Sequence, residues 1–360
     1  MSLFVRALSS GCKIEDADAQ VSARLDAYGR WCTFRDKEVF YRRAFDGRIV
    51  SGANAEYLSE EKYRDIHLQV ISWLQKCLIN TGLTGNGIVE AGAQLSLADY
   101  LNLPSLYKKA YPEPVTILPP DRYQDIVLQP ARGCPNRRCN FCAFYKNKPY
   151  KVLSNQQLDQ HFMVIKRLLG GDFSGRNGVF LGSANALALS QRRILPVLEM
   201  INKQIGSLKR GVASFADPDF AAPRTEHDWA ELAYLNLKQV VIGLETGWSE
   251  LRFRLGKSGD LSKTENQIKQ LHRAGISVGL TLLNGACEEE YQLKNLSETM
   301  AFIEVLNLRQ DDLVYLSPLS KEGVVSSLAT QEQALFKEAL KKVTGARIVP
   351  YQMQRFNYYT

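Results

Sequence analysis

Six short apolar runs, each rich in Val, Ile or Leu, recur between residues 125 and 317. They are DIVLQ (125–129), GVFLG (178–182), RGVASF (210–215), QVVIGL (239–244), ISVGLTLL (276–283) and DLVYLS (312–317). Runs of this length and composition predict strands buried on both faces. Between them lie stretches of helical period, among them NQQLDQHFMVIKRLLG, LSQRRILPVLEMINKQI, KTENQIKQLHRAG and YQLKNLSETMAFIEVLN. Strand–helix alternation predicts an α/β domain of parallel strands covered by helices, which a barrel and an open sheet satisfy equally. A further helix, TQEQALFKEALKKV with Thr330 as its expected cap, is followed by a basic aromatic end carrying Arg355, Phe356, Tyr358 and Tyr359.

Residues 1–118 follow a different pattern. CTFRDKEVFYRRAFDGRIV predicts a strand pair about the turn Asp46-Gly47. Ser59 precedes SEEKYRDIHLQVISWLQKCLIN, whose apolar positions Ile66, Val70, Trp73, Leu74 and Cys77 share one helical face. More helix is expected around LSLADYLN. The four prolines of YPEPVTILPP predict a stiff connector.

With 45% hydrophobic and 23% charged residues, the chain has the balance of a soluble globular protein. No apolar run approaches the roughly 20 residues that span a bilayer. The N-terminus turns acidic after a short apolar patch, unlike a secretory leader, so a cytoplasmic location with no membrane partner is expected. The net charge of +7 permits an anionic substrate or RNA and demands neither.

Seven cysteines are present: Cys12, Cys32, Cys77, Cys134, Cys139, Cys142 and Cys287. An odd number with one tight group points to metal ligation rather than a disulfide framework. The group lies in GCPNRRCNFCAFY (133–145), directly after the first predicted strand, in the spacing C-x4-C-x2-C. Thiolates suit zinc or iron–sulfur centres. A structural zinc needs four ligands, and His161 and Cys287 are distant in sequence. Three thiolates on a four-iron cube leave one iron open, which is an arrangement for chemistry. A closed zinc or iron–sulfur binding module without catalysis is the alternative these residues leave.

This segment resembles the cluster loop of the radical S-adenosylmethionine superfamily. The branch it looks most like includes Elongator-type, methylthiotransferase and nitrogenase-cofactor-maturation enzymes. GVFLGSANAL (178–187), VIGLETGWSELRFRLGKSG (241–259) and HRAGISVGLTLLNGA (272–286) carry the resemblance onward, over roughly residues 120–320. It implies a partial (β/α)6 TIM-like barrel over residues 119–320. Residues 1–118 would be a mixed, mainly helical N-terminal extension. Residues 321–360 would supply a C-terminal helix and aromatic tail completing the barrel. One departure stands out: four residues separate Cys134 from Cys139, where the superfamily has three.

The resemblance further implies a 4Fe–4S cluster on Cys134, Cys139 and Cys142, with S-adenosylmethionine on its open iron. Reductive cleavage of that cosubstrate gives a 5′-deoxyadenosyl radical that takes hydrogen from a substrate. Phe141 matches the aromatic beside adenine, and Tyr145 packs the same loop. Gly182, Ser183, Ala184 and Asn185 stand where the family binds the methionine amino group. Ser214 and Asp217 are ribose candidates, Asp217 alternatively a helix cap. Glu245 is the expected acidic partner of the cosubstrate or of Lys257, and Lys257 faces the methionine carboxylate or solvent. Cys287 is the candidate hydrogen-atom donor, or a small buried hydrophobe. His161 and His272 fall on helices, facing sheet or solvent.

The run from Arg132 to Lys151 holds Arg132, Arg137, Arg138, Lys146, Lys148 and Lys151 without an acid. An anionic electron donor such as flavodoxin or ferredoxin, or RNA phosphate, suits it; so does a role balancing cluster charge. No appended RNA-binding domain is evident, which favours a small-molecule substrate from cofactor or secondary metabolism over tRNA or a peptide.

Overall fold

The computed structural model describes residues 3–8, 11–52, 56–81, 86–171, 173, 176–182, 184–206, 208–321 and 324–351. They group into two compact units, one of the residues up to Pro114 with Asp159–Arg176, the other of Val115–Leu158 with residues 177–351. No helix among the described residues is long and apolar enough to cross a membrane.

In the first unit, β1 (Leu3–Leu8), β2 (Gly11–Asp16), β3 (Val21–Leu25), β4 (Trp31–Asp36), β5 (Val39–Arg43), β6 (Ile49–Ser51) and β7 (Glu56–Tyr57) form one sheet. Every neighbouring pair is antiparallel and the order is that of the sequence. The strand pair expected about Asp46-Gly47 is β5–β6, and it is one step of this longer meander. Period-two burial is visible in β2, where Cys12, Ile14 and Asp16 are buried. Four helices follow: α1 (Glu60–Thr81), α2 (Gly87–Gln94), α3 (Leu97–Leu101) and α4 (Leu103–Ala110). Val70 and Leu74 of α1 and Val89 of α2 meet Ile14, Leu25, Trp31, Phe34 and Ile49 in one core. Each such buried side chain contributes about 1.5–3 kcal/mol.

His67, on α1, is fully buried in that core. Trp31 Nε1 donates to its Nδ1 at 3.1 Å, and its Nε2 faces the Gly47 carbonyl at 3.0 Å. That pattern calls for the neutral ring, and burial holds its pKa down at about 4. Cys12 and Cys77 are buried apolar thiols, pushed up by burial to about 11 and about 12. Cys32 lies against Arg43.

The second unit begins with β8 (Ile126–Leu128), β9 (Ala131–Arg132), β10 (Lys151–Val152) and α5 (Asn155–Leu168), whose residues from Asp159 on group with the first unit. Then come β11 (Val179–Leu181), α6 (Gln191–Gln204), β12 (Val212–Ala216), α7 (Glu226–Tyr234), β13 (Leu237–Glu245), α8 (Ser249–Arg254) and α9 (Ser262–Arg273). The chain continues through β14 (Ser277–Asn284), α10 (Gln292–Leu306), β15 (Leu313–Pro318), β16 (Ser320–Lys321), β17 (Val324–Val325), α11 (Ser327–Val343) and β18 (Arg347–Pro350). Seven strands make a parallel sheet in the order β8-β11-β12-β13-β14-β15-β18. All six strands expected from the apolar runs are present, and the fold is the α/β arrangement of a partial TIM-like barrel. β18 adds a seventh strand from the segment read as the aromatic end. Arg355, Phe356, Tyr358 and Tyr359 lie outside the described residues.

The register sorts the strand side chains onto two faces. Leu128, Leu181, Val240, Ile242, Leu280 and Val314 lie on one, all fully buried, as a face covered by helices requires. The other carries Phe180, Phe215, Val241, Gly243, Thr281 and Tyr315. The rings of Phe180 and Phe215 meet edge to face at 4.8 Å, and Tyr315 lies so close over Gly279 that a Cβ there would come within 2.6 Å of it. This face is aromatic, polar and small, and Phe215, Gly243 and Thr281 on it are only half-buried. It is the inner face of the barrel.

One expected cap is corrected. Ser326, not Thr330, caps α11, its hydroxyl accepting from Ala329 N at 3.1 Å; Thr330 lies within the first turn and donates back to the Ser326 carbonyl. A serine one turn earlier reaches the unpaired amides, which a residue already inside the helix cannot.

Candidate active site

The loop bearing Cys134, Cys139 and Cys142 emerges from the carboxyl end of β8, and the antiparallel pair β9–β10 closes its neck. Gly133 sits there at φ +72°, and a Cβ on it would come within 2.3 Å of the Pro149 carbonyl, so the neck admits only glycine. All three cysteines are half-buried and unpaired. Burial pushes Cys134 up to about 11 and Cys139 to about 12, the nearby Lys257 opposing it in each case. Among the described residues no three His, Cys, Asp or Glu side chains converge tightly enough to hold one metal ion. A four-iron cube makes no such demand, because each thiolate binds a different iron.

α8 and the turn after it grip this loop. Asn140 N donates to the Leu255 carbonyl at 3.2 Å and Asn140 Nδ2 to the Arg254 carbonyl at 2.7 Å. Gly256, at φ +83°, packs so closely that a Cβ would come within 2.2 Å of the Arg138 carbonyl oxygen. Asn136 is buried inside the loop. Its Oδ1 accepts from Arg138 N at 3.1 Å, and its Nδ2 is 3.2 Å from Cys139 Sγ, 3.4 Å from Asp217 Oδ2 and 3.5 Å from the Gly256 carbonyl.

Below the loop, Lys257 joins two carboxylates. Its Nζ is 3.2 Å from Glu245 Oε1 and 3.7 Å from Asp217 Oδ2, and donates to the Gly243 carbonyl at 2.7 Å. All three side chains are buried. Burial works against the charge on Lys257, yet Asp217 and Glu245 outweigh it and raise its pKa. Burial likewise works to raise Asp217, and Lys257 with the Asp219 amide brings it below its usual value. The GLETG segment is built for this meeting. A bulge between Gly243 and Glu245 puts Glu245 at φ +67°, a left-handed conformation that is strained for a side-chain-bearing residue. At Gly243 a Cβ would come within 2.5 Å of Glu245 Oε1 and 2.8 Å of Lys257 Nζ, so glycine leaves room for the ion pair.

Two other buried polar side chains have no hydrogen-bond partner among the described residues. Arg252 is fully buried with its guanidinium 3.6 Å from Asp219 Oδ2, and none of its nitrogens is hydrogen-bonded among the described residues. Asn185 is buried with neither amide atom paired among them. Buried groups left so are costly, and both fit a polar ligand. Lys257, Arg252 and Lys263 balance Asp217, Asp219 and Glu245, so the group offers both signs of charge to a zwitterionic amino acid. The three-thiol loop over this group fits the iron–sulfur cluster and S-adenosylmethionine.

The remaining sequence-predicted residues divide. Gly182, Ala184 and Asn185 follow β11, and Ser183 lies outside the described residues. Ser214 is a correction as a ribose contact. The register sets it with Leu181 and Val240 on the aliphatic face, fully buried, its hydroxyl donating to a backbone carbonyl of Leu181 or Phe215. Phe141 packs on Trp248, Leu251, Leu255, Leu283 and Cys287. Phe141, Cys142, Leu251, Leu255 and Leu319 line a cavity of about 740 Å³, with Arg254 and Glu288 at its rim. Cys287 lies 3.8 Å from Glu332 Oε1 and is pushed up to about 12, by burial first and by Glu332 second. Tyr145 is buried in the cysteine loop, Lys148 over its ring. His272 pairs with Asp312 at 2.8 Å, and His161 is buried edge-on to Tyr111. Sequence reasoning missed Asn136, Arg252 and Gly256. Only Gly256, a glycine just after a short helix, left a readable signal.

The family comparison agrees. Residues 128–295 match the model of the radical SAM superfamily. Among curated proteins none matches. Among solved structures, the chain is similar to the cobalamin-dependent S-adenosylmethionine radical enzyme OxsB, at 21% identity and a TM-score of 0.42, over 64% of this chain and 32% of that one. It is similar to coproporphyrinogen III oxidase (HemN) from Escherichia coli, at 13% and 0.45, over 61% and 52%. It is also similar to methylornithine synthase (PylB), at 12% and 0.43, over 80% and 85%. The chain thus spans about a third of OxsB. Residues 128–295, which carry the cysteine loop, the Lys257 group and the barrel strands up to β14, thus form a radical SAM domain, and the enzymes of that superfamily use a 4Fe–4S cluster and S-adenosylmethionine.

Proposed function

We propose that the chain is a radical S-adenosylmethionine enzyme acting on a small molecule held against the inner face of its barrel. The cluster would be held by Cys134, Cys139 and Cys142. When bound, it supplies one electron to S-adenosylmethionine and so yields the 5′-deoxyadenosyl radical that takes hydrogen from the substrate. The observation that carries this reading is the three-thiol loop clasped over a buried lysine and two carboxylates at the carboxyl ends of parallel strands, where such folds keep their chemistry.

In this reading Lys257 and Arg252 face the methionine carboxylate, and Glu245 and Asp217 face its ammonium or the ribose. Asn185, with the backbone of Gly182, Ser183 and Ala184, receives the amino group, and Phe141 lies beside adenine. Support for Cys287 as a hydrogen-atom donor is its burial, which keeps it protonated, the only form with a hydrogen to give. The donation leaves a thiyl that one electron and one proton from the reducing system restore. The exposed Arg137, Arg138, Lys146 and Lys151 support docking of an acidic electron donor such as flavodoxin or ferredoxin. The same basic run supports a second reading, in which tRNA is the substrate. Nucleic acid co-purifying with the protein and lost steeply with salt would favour it.

The test is anaerobic reconstitution with metal analysis and electron paramagnetic resonance of the reduced protein. About four irons per chain without zinc, and a signal that changes when S-adenosylmethionine is added, support the proposal. Stoichiometric zinc, or a signal indifferent to S-adenosylmethionine, contradicts it.

A further inference from the structure

We infer that Asn136 is a positioning residue that absorbs the extra residue of the C-x4-C interval and sets the cluster's reduction potential through its bond to Cys139. The inference rests on the function just proposed. Four residues stand between Cys134 and Cys139, and the longer interval must fold back for both sulfurs to face one cube. Asn136 does this from both ends of its amide. Its Oδ1 accepts from Arg138 N at 3.1 Å, closing a tight turn within the interval. Its Nδ2 points the other way, 3.2 Å from Cys139 Sγ. Two further acceptors, Asp217 Oδ2 at 3.4 Å and the Gly256 carbonyl at 3.5 Å, surround the same nitrogen. An amide nitrogen has two hydrogens. One serves the sulfur while the other ties the loop to the Lys257 group. The side chain is 4% exposed, so water cannot replace it.

The electrochemical consequence has a definite sign. Adding an electron increases the negative charge on the ligating sulfurs, and a hydrogen-bond donor stabilises the more negative state more. Removing the donor makes reduction harder and moves the potential down. Asn140 is the control. It holds the same loop through Leu255 and Arg254 and donates to no sulfur.

The experiment is an equilibrium redox titration, read by electron paramagnetic resonance, of the reconstituted full chain as wild type, Asn136→Ala and Asn140→Ala, with iron counted in each. The expected result is a more negative midpoint for Asn136→Ala and a wild-type midpoint for Asn140→Ala. An unchanged midpoint for Asn136→Ala, or equal shifts in both variants, overturns the inference. If Asn136→Ala takes up no iron, Asn136→Ser keeps a neutral oxygen for the turn to Arg138 N and loses the amide donor to the sulfur. A lowered midpoint there supports the inference and a wild-type midpoint overturns it. Failure of the wild type itself to take up iron sinks the proposed function instead.

Discussion

Lys257 stands between two buried carboxylates, and the consequences of removing it are local and large. In Lys257→Met, Asp217 and Glu245 are left facing each other with no cation between them. Breaking a buried ion pair this way costs about 3–5 kcal/mol, so the denaturant midpoint of the metal-free protein should fall accordingly. A change within about 1 kcal/mol would mean that the two carboxylates are solvated or carry a proton. The cysteines were legible at this scale because three thiols in nine residues have few structural uses. Glu245 was legible as needing a partner, because a carboxylate at a barrel mouth requires one, while Lys257 stood as one of several candidates for it. Asn136 and Arg252 were not, since an asparagine in a loop and an arginine on a helix are ordinary until burial is known. Ser214 misled because the end of a strand offers two faces, and sequence alone does not say which is inner.

Among the elements, the clasp between the cysteine loop and α8 determines whether the thiols are presented together. Gly256→Ala adds a Cβ that would overlap the Arg138 carbonyl and forces a left-handed backbone on alanine. Such strain costs about 1–3 kcal/mol, enough to displace the loop while the barrel stays folded. The expectation is a loss of iron per chain on reconstitution with an unchanged circular dichroism spectrum. Full loading would show that the clasp is dispensable. The strands of the second unit were legible because buried parallel strands are short, continuous Val/Ile/Leu runs. β18 was not, its RIVP ending in proline beside an aromatic stretch. The meander of the first unit was hidden for another reason. Its alternation is broken by charged residues that face inward, such as Asp16 and Arg43, the latter ion-paired with Asp26.

At the scale of the whole molecule, the first unit carries a buried group that makes it sensitive to mild acid. His67 is neutral when folded, its pKa held near 4 against about 6.5 in the unfolded chain. As pH falls, the unfolded chain binds its proton first, so stability is lost from about pH 6.5 down to about 4. The loss from this group is at most about 3 kcal/mol. Hydrogen exchange in β2–β4 at pH 7.5 and pH 5 should therefore show reduced protection at the lower pH, and less pH dependence in His67→Gln. Equal pH dependence in both would assign the effect to other groups.

The measurement that reaches the central claim most directly is a single-turnover assay of reconstituted, dithionite-reduced protein with S-adenosylmethionine, analysed for 5′-deoxyadenosine. The wild type is expected to release it, and Cys139→Ala, with one corner of the cube unligated, to release essentially none. Intact S-adenosylmethionine after incubation with iron-loaded, reduced wild type, or equal release by both proteins, would contradict the account.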